Sequence, residues 1–534
     1  MEKTSRVLSL VLCFISIHLF AQINSNSPAV PFNSQASYLY GIVPTNLPST
    51  GTYGKSQDAA NAYEAWKASF ITQCTINTTN SYVNTSSGIV LSEGIGYGMI
   101  LSAYAGDKPL FDQLYGYYKS FEDSYGLMHW KISSCNTIVE YNSNSSADED
   151  VAFALVIAKE QWPNATTPFV YQTEAASQIA KIRSYEFTLS PYQIMNGDVW
   201  GANICRNPSY FSPAYYREFA KIETLQSIFW NNCVLGANNF LLSNRNSTTG
   251  LVSDWATNDG VSNVCGTSTG KVQFGSEAVR TSWRMAMDVL WNGTTTATTA
   301  NDICTKMSKW MTGYEANLKG PCLQNDSNPS FGTNKSGTFG MMALALMARA
   351  EKQTNLNTAY SNIVAIGNSE SYHDRTMRCL TLFMMSGNFW KPGTSTIVRP
   401  TITNATTNDA GTKITLTFSK SMSTPISTAF NEFSLKINGN IIPNPFTAVA
   451  INGSNSIDLT LGSTIPVSGD SISISYMPGT IKSGDNGMLA AVFVRQVTNA
   501  LNYILLDDCD DSDSLSLYGG KWFTYNDNSD GGFS

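Results

Sequence analysis

Two hydrophobic periods divide the chain. From about Ser56 to Phe389 apolar residues recur at i, i+3, i+4 and i+7, the spacing of helices that bury one face. The stretch ADEDVAFALVIAKEQW is representative: Val151, Ala154, Leu155, Ala158 and Trp162 fall on one face. Its acids stand in the first turn, where the helix dipole favours negative charge. Roughly a dozen such segments alternate with Gly/Asn/Ser/Pro-rich breaks and aromatic loops such as GDVWGANICRNPSYFSP. That number of helices in alternating pairs suits an all-α, α/α toroid with a groove formed by inner-helix ends and loops; a generic all-α bundle fits the count equally well. Beyond GNFWKPGTSTIVRP the period changes to two. KITLTFSK, EFSLKINGN, SIDLTLG and SISISYMPG alternate apolar and polar residues between turn signals, which predicts a small β-sandwich over 399–500.

Both ends carry other patterns. Met1–Ala21 reads as a secretory signal, with Lys3 and Arg6 ahead of an apolar run from Val7 to Phe20. No later apolar stretch is long enough to span a bilayer, so the mature protein is expected to be exported and free of the membrane. At 504–534 the composition turns acidic, LLDDCDDSD running on to YGGKWFTYNDNSDGGFS. This is expected to be the start of a further, incomplete carbohydrate-binding β module. Its aspartates lack the glycine and terminal glutamate of an EF-hand loop and read as a solvated edge.

Charge and composition narrow the chemistry. A net charge of −7, with 14% charged residues and no Lys/Arg cluster, argues against nucleic acid as a partner. Asn, Ser, Thr and Tyr are abundant instead, which suits a polar, uncharged sugar polymer. Of ten cysteines, eight lie between Cys74 and Cys379, without C-x-x-C zinc spacing. In an exported chain that even set suggests disulfides of unreadable pairing; free buried thiols are the alternative. Three histidines, one of them in the signal, leave no His-rich metal site and no ready Ser–His–Asp triad. Hydrolysis would then use carboxylates, with no metal or cofactor.

One segment stands out. VLSEGIGYGMILSAYAGDK has helical spacing at Ile95, Met99 and Ala103, yet Gly94, Gly96 and Gly98 occupy its first turns. Each costs about 1 kcal/mol relative to alanine. The glycines would let a ligand approach the helix end, with Glu93 beside it. Ser92 as the helix cap, and Glu93 as a complement to the dipole, is the structural alternative.

Here the sequence resembles a known family. SEGIGYGM, GLMHWKI, ADEDVAFAL, NPSYFSPAYYREFA, the Asp254–Trp255 pair and EAVRTSWRMAMD follow the order and approximate spacing of glycoside hydrolase family 8. The resemblance spans about Pro31 to Pro392 and implies a catalytic domain over 30–392. It implies an (α/α)6 barrel, inversion at the anomeric carbon, and most often endo-β-1,4-glucanase activity on β-glucan by a monomeric catalytic domain. It places the general acid at Glu93. The family's base is the Asp of Tyr-Asp-Ala-x-Arg; this chain has SEAVR, so Glu277 holds that position and Ser276 replaces the Tyr. An inverting pair needs its carboxyls about 6.5–9.5 Å apart, and the extra methylene of Glu277 would shorten the gap by about 1 Å unless the backbone retreats.

The resemblance also implies substrate contacts. Trp130, Trp200 and Tyr210 match groove aromatics, whose faces suit pyranose rings. Arg280 matches the arginine beside the base, and Tyr372 matches the last helix loosely. Where the family writes Thr-Asp-Ala-Asp, this chain has NSSADED, so Ser146 replaces a carboxylate that contacts sugar, while Asp148 is retained. Asp148 serves either the substrate or the helix dipole. The longer Glu277 is expected to compensate for Ser146. Two rivals stay open at this level: a xylanase or mixed-linkage glucanase on the same scaffold, and a catalytically silent glycan-binding protein. The 399–500 sandwich resembles bacterial immunoglobulin-like spacer modules.

Overall fold

The computed structural model describes residues 23–501 apart from residues 25, 27 and 491 and the segments 34–36, 46–53, 200–204, 266–269, 327–335, 394–398, 463–465 and 477–478. The expected signal and the acidic terminal module both lie outside the described residues. The chain divides into two units, Met1–Thr396 and Ile397–Ser534.

The first unit is helical. Its helices are α1 (Gly54–Phe70), α2 (Ser92–Ala105), α3 (Lys108–Ser120), α4 (Ser145–Gln161), α5 (Tyr171–Tyr185), α6 (Pro213–Ile222), α7 (Ser227–Asn244), α8 (Arg280–Asn292), α9 (Thr298–Trp310), α10 (Ser336–Phe339), α11 (Leu344–Met347), α12 (Gln353–Ala365) and α13 (Tyr372–Met385). A 3-10 turn, Gly340–Ala343, joins α10 and α11 into one run, giving twelve helical rods among the described residues. Their contacts define two rings. α2, α4, α6, α8, α11 and α13 touch in that order and close back on α2; α1, α3, α5, α7, α9 and α12 each pack outside an inner partner. This is an (α/α)6 barrel.

Composition explains which helices are inner. In α2 every residue except Glu93 is buried, and in α8 every residue but the last. A helix apolar nearly all round, as α2 is, is stable only when surrounded; α8 instead buries charges that are paired, Arg284 with Asp150 and Asp288 with Arg217. The outer α3 shows a one-sided pattern, burying Leu110, Phe111, Leu114, Tyr115, Tyr117 and Tyr118.

The α2 glycines have a different reason from the expected one. A Cβ at Gly96 would meet Asp150 Cβ at 3.0 Å and the Ala147 carbonyl oxygen at 3.1 Å; one at Gly98 would meet Leu114 and Val83 at 2.9 and 3.0 Å. A Cβ at Gly94 would meet the Tyr372 hydroxyl and Thr85. Lost helix propensity therefore lets α2 approach α4, α3 and α13 closely. It does not clear space for sugar. Nor is Ser92 the cap: Leu91 holds that position without a side-chain bond, and Ser92 is the first helical residue.

Short strands lie between helices: β1 (Ile71–Gln73), β2 (Ser81–Val83), β3 (Ile89–Leu91), β4 (Lys131–Ser133), β5 (Thr137–Glu140), β6 (Cys205–Arg206), β7 (Trp255–Thr257), β8 (Ser262–Asn263), β9 (Gln273–Phe274) and β10 (Cys322–Leu323). β3–β4–β5 and β6–β7–β8 form two antiparallel three-stranded sheets. Disulfides join Cys74 to Cys135 and Cys205 to Cys265, while Cys233, Cys304, Cys322 and Cys379 are buried free thiols. Both sequence-level readings of the cysteines thus hold, for different residues.

The second unit contains β11 (Ile402–Thr407), β12 (Lys413–Phe418), β13 (Phe433–Ile437), β14 (Asn440–Ile442), β15 (Phe446–Ile451), β16 (Ser456–Leu461), β17 (Ile472–Tyr476) and β18 (Val492–Val497). They pair as two four-stranded sheets, β11-β12-β16-β15 and β14-β13-β17-β18. Leu416 and Leu459 of one sheet share a core with Leu435 and Ile474 of the other. The strict alternation of burial along β13 follows the period of two in FSLKI. Asn438 and Gly439, both at positive φ, form the two-residue turn into β14.

Candidate active site

The inner helices present amino-terminal ends at one mouth of the barrel. Glu93 is the second residue of α2, Asn144 caps α4, Tyr210 lies just before α6, Arg280 opens α8 and Tyr372 opens α13. A cleft of about 450 Å³ lies there, lined by Glu93, Trp130, Ser143, Asn144, Asn196, Cys205, Tyr210, Trp255, Cys265 and Glu277. Among the described residues that line it, the carboxylates are Glu93 and Glu277.

Local structure fixes the first of these. Trp130 accepts the Ser92 amide and donates its own amide to the Asn142 carbonyl, so the β3–β4 pairing sets Trp130 beside the start of α2. Glu93 retains 24% side-chain exposure, against 41% for Glu277. Burial raises the Glu93 carboxyl above its ordinary pKa; Arg280 pulls it back and the negative charge of Glu277 pushes it up again. The outcome is a carboxyl biased toward its protonated form despite lying at a helix amino terminus.

Arg280, 3% exposed, connects the pair: Nη1 donates to Glu93 Oε1 at 2.6 Å and to the Tyr97 hydroxyl at 3.0 Å, while Nη2 donates to Glu277 Oε2. With one guanidinium making both bonds, the two bonded oxygens are held to at most about 7 Å apart, a bound that reaches the lower end of the ~6.5–9.5 Å span of inverting pairs. Tyr210 lies under this bridge, with the guanidinium carbon 5.7 Å from its ring centroid.

The other residues singled out from the sequence divide. Trp130 and Tyr210 line the cleft with Glu93 and Glu277. Trp200 lies outside the described residues. Tyr372 stands behind Glu93, its ring edge-on to Phe70. Ser146 and Asp148 do not line the cleft, contrary to expectation. Both are buried within the first turn of α4, where the pitch turns their side chains inward. Asp148 accepts the Tyr118 hydroxyl and pairs with Glu186; burial raises both carboxyls, the charge of Glu186 adds to the rise at Asp148, and at Glu186 hydrogen bonds with Ser143, Ser145 and Asp148 oppose it. Asn144 takes the wall position beside them, accepting the Ser146 amide at 3.1 Å and bonding the Tyr210 hydroxyl.

Sequence reasoning overlooked several neighbours. Trp255 was visible only as half of a motif, and Asn196, Ser143 and Asn144 carry no signal beyond composition. Asn207, 1% exposed, donates Nδ2 to Glu277 Oε2 at 2.7 Å. Its place directly before Pro208 in an aromatic motif was the available clue. Among the described residues no group of His, Cys, Asp and Glu is arranged to hold a metal ion.

The arrangement can donate a proton from Glu93 on one side and accept one at Glu277 on the other. Comparison with known proteins agrees with that chemistry. Residues 40–387 match the family described as glycosyl hydrolases family 8. The chain is 33% identical over 406 residues to Endoglucanase 2 of Ruminiclostridium josui, covering 73% of this chain and 84% of that protein. It is 30% identical over 424 residues to Endoglucanase A of Acetivibrio thermocellus, covering 75% and 83%. The solved apo structure of a β-1,3-1,4-glucanase from Paenibacillus sp. X4 superposes with a TM-score of 0.62 at 23% identity, over 68% of this chain and all of that one. Ordered motifs, closed double ring, facing carboxyls and these relatives lead to one conclusion: the chain belongs to glycoside hydrolase family 8.

Proposed function

We propose that this protein is an exported, inverting endo-β-1,4-glucanase in which Glu93 is the general acid and Glu277 the general base. The observation that carries the assignment is the facing pair itself, two carboxyls of one cleft held on a single arginine. Endoglucanase relatives support a β-glucan substrate. Two disulfides suit an oxidising compartment and support export through the Met1–Ala21 signal.

The chemistry follows from the difference between the two environments. Glu93, biased toward its protonated form, gives its proton to the glycosidic oxygen as the C–O bond breaks. Glu277, more exposed, takes a proton from water attacking the anomeric carbon on the opposite face. The product leaves with inverted configuration, Glu93 is then ionised and Glu277 protonated, and exchange with solvent restores both. Arg280 steadies the total charge, because its guanidinium touches whichever carboxylate is ionised. Trp130 and Trp255 offer ring faces to the sugars, while Tyr210, buried beneath the guanidinium, supports the Arg280 bridge.

The test is reducing-sugar release on a panel of β-1,4-glucan, mixed-linkage glucan and xylan, with Glu93→Gln beside the wild type. Turnover on the glucans, lost by about 10²–10⁴-fold in Glu93→Gln with oligosaccharide binding retained, is the expected result. A wild type that binds but never cleaves would leave a glycan-binding protein; preferential cleavage of xylan would replace the substrate.

A further inference from the structure

The small β6–β7–β8 sheet ends at the base. In its register Cys205 pairs with Thr257 and Arg206 with Ala256, so the residues following β6 and preceding β7 emerge at the same end. These are Asn207 and Asp254. Asn207 holds the Glu277 side chain, as described. Asp254 reaches the backbone of the same segment: its Oδ1 accepts the Gly275 amide at 3.0 Å and the Ala278 amide at 2.8 Å. Glu277 sits between those two amides, in the turn that leads into α8.

The approach is close. A Cβ built on Gly275 would lie 2.3 Å from Asp254 Oδ2, so Gly275 is what allows a carboxylate against this turn. The Asp254 amide also donates to the Gln273 carbonyl at 2.8 Å, fastening the start of β7 to β9. Main chain on both sides of Glu277 is therefore tied through one residue.

We propose that Asp254 is a positioning residue for the general base, its carboxylate clamping the Gly275–Ala278 turn so that Glu277 meets the attacking water in line. The inference rests on Glu277 being the base. It gives a motif residue a task unlike those of the groove aromatics: Asp254 touches no sugar and acts only through the segment it holds. A base displaced by about 1 Å is enough to reduce turnover about 10²-fold. Substrate affinity, set by the cleft walls, should barely change.

Both oxygen-accepted bonds end on Oδ1, which an asparagine also possesses. Asp254→Asn should therefore keep most of the clamp, whereas Asp254→Ala should lose it. Steady-state kinetics on a soluble β-glucan, with thermal melts to establish folding, are expected to give kcat down about 10²-fold with KM within about twofold for Asp254→Ala. Asp254→Asn should recover at least tenfold of that loss. Gly275→Ala should mimic Asp254→Ala, because the new methyl expels the carboxylate. In the Asp254→Ala background the same methyl finds space and should add nothing. Wild-type kcat in a folded Asp254→Ala protein would overturn the proposal. So would equal damage from Asp254→Asn and Asp254→Ala, which would make charge the cause, or additive losses in the double variant. If Asp254→Ala fails to fold, Asp254→Asn and Gly275→Ala still decide through the KM-against-kcat split. A parallel Glu277→Gln variant separates the two ideas. Near-normal turnover there would overturn both the base assignment and this proposal; an inactive Glu277→Gln beside a harmless Asp254→Ala would overturn the proposal alone.

Discussion

Glu149 is completely buried on α4, and the cation nearest to it, Arg284, is already engaged with Asp150 at 2.8 Å. Burial lifts its carboxyl from 4.5 to about 8, with Arg284 opposing. The unfolded chain keeps the ordinary value. Between those two pH values the native state holds a proton that the unfolded state releases. Stability must therefore fall as pH rises through that window. The shift is 8 − 4.5 = 3.5 units, and at about 1.4 kcal/mol per unit this makes about 5 kcal/mol between pH 4.5 and 8. Glutamine has the shape of the protonated acid and cannot ionise. Glu149→Gln should accordingly match the wild type in urea denaturation near pH 4.5 and exceed it increasingly toward pH 8. The Asp148–Glu186 pair is present in both proteins, but Glu186 is itself raised by the charge of Glu149, so the difference measures the loss of Glu149 together with its coupling to Glu186. Parallel stability curves across the window would refute the reasoning, and would mean that Arg284 neutralises Glu149 as fully as it does Asp150.

Three further outcomes follow from geometry. The two disulfides close loops of nearly equal length, with sequence separations of 61 and 60, so replacing either pair by serines should lower stability by a similar amount, about 4 kcal/mol. Only loss of Cys205–Cys265, which lines the cleft and ties the sheet behind the base, should also depress kcat at temperatures where both variants are folded; equal activities would show that the sheet holds without it. Gly96→Ala should destabilise the fold by about 1–3 kcal/mol through its contact with α4 while leaving KM unchanged in the folded protein, and a KM change without destabilisation would restore the idea that the glycines face sugar. Trp255→Ala should raise KM for long oligosaccharides with little effect on kcat, as measured by initial rates; a change in kcat alone would remove Trp255 from ground-state binding.

What could be read from the sequence follows the range of the interactions. Periods of 3.6 and two depend on local burial, so the helical ring and the sandwich strands were visible in segments such as ADEDVAFALVIAKEQW and EFSLKINGN. Glu93, Glu277, Tyr210 and Arg280 were visible because each lies in a dense motif. The tasks of Asp254 and Asn207 were not legible although both stand in motifs: Asn207 bonds Glu277, and Asp254 the turn around it, only because a short sheet brings their strand ends together. Ser146 and Asp148 were misplaced for a related reason. Ser146, two positions past Asn144, turns onto another face of α4, whereas Asp148, four positions past it, shares the face of Asn144 but lies a full turn deeper and is completely buried. The glycines of α2 were read as space for ligand, whereas the constraint comes from α4, about fifty residues later in the chain. With Ser146 in the core, the expected compensation by the longer Glu277 has no contact in the cleft to support it. The base instead finds its partners in Arg280 and Asn207.

The central claim is that Glu93 and Glu277 act as acid and base on opposite faces of the bond, with no covalent intermediate. Proton NMR during the first minutes of β-glucan hydrolysis, before mutarotation, tests it most directly. The account predicts that new reducing ends appear first as α-anomers and only later equilibrate to β. β-Anomers appearing first would contradict it, since that outcome requires a carboxylate bonded to the sugar and leaves Glu277 without the role assigned here.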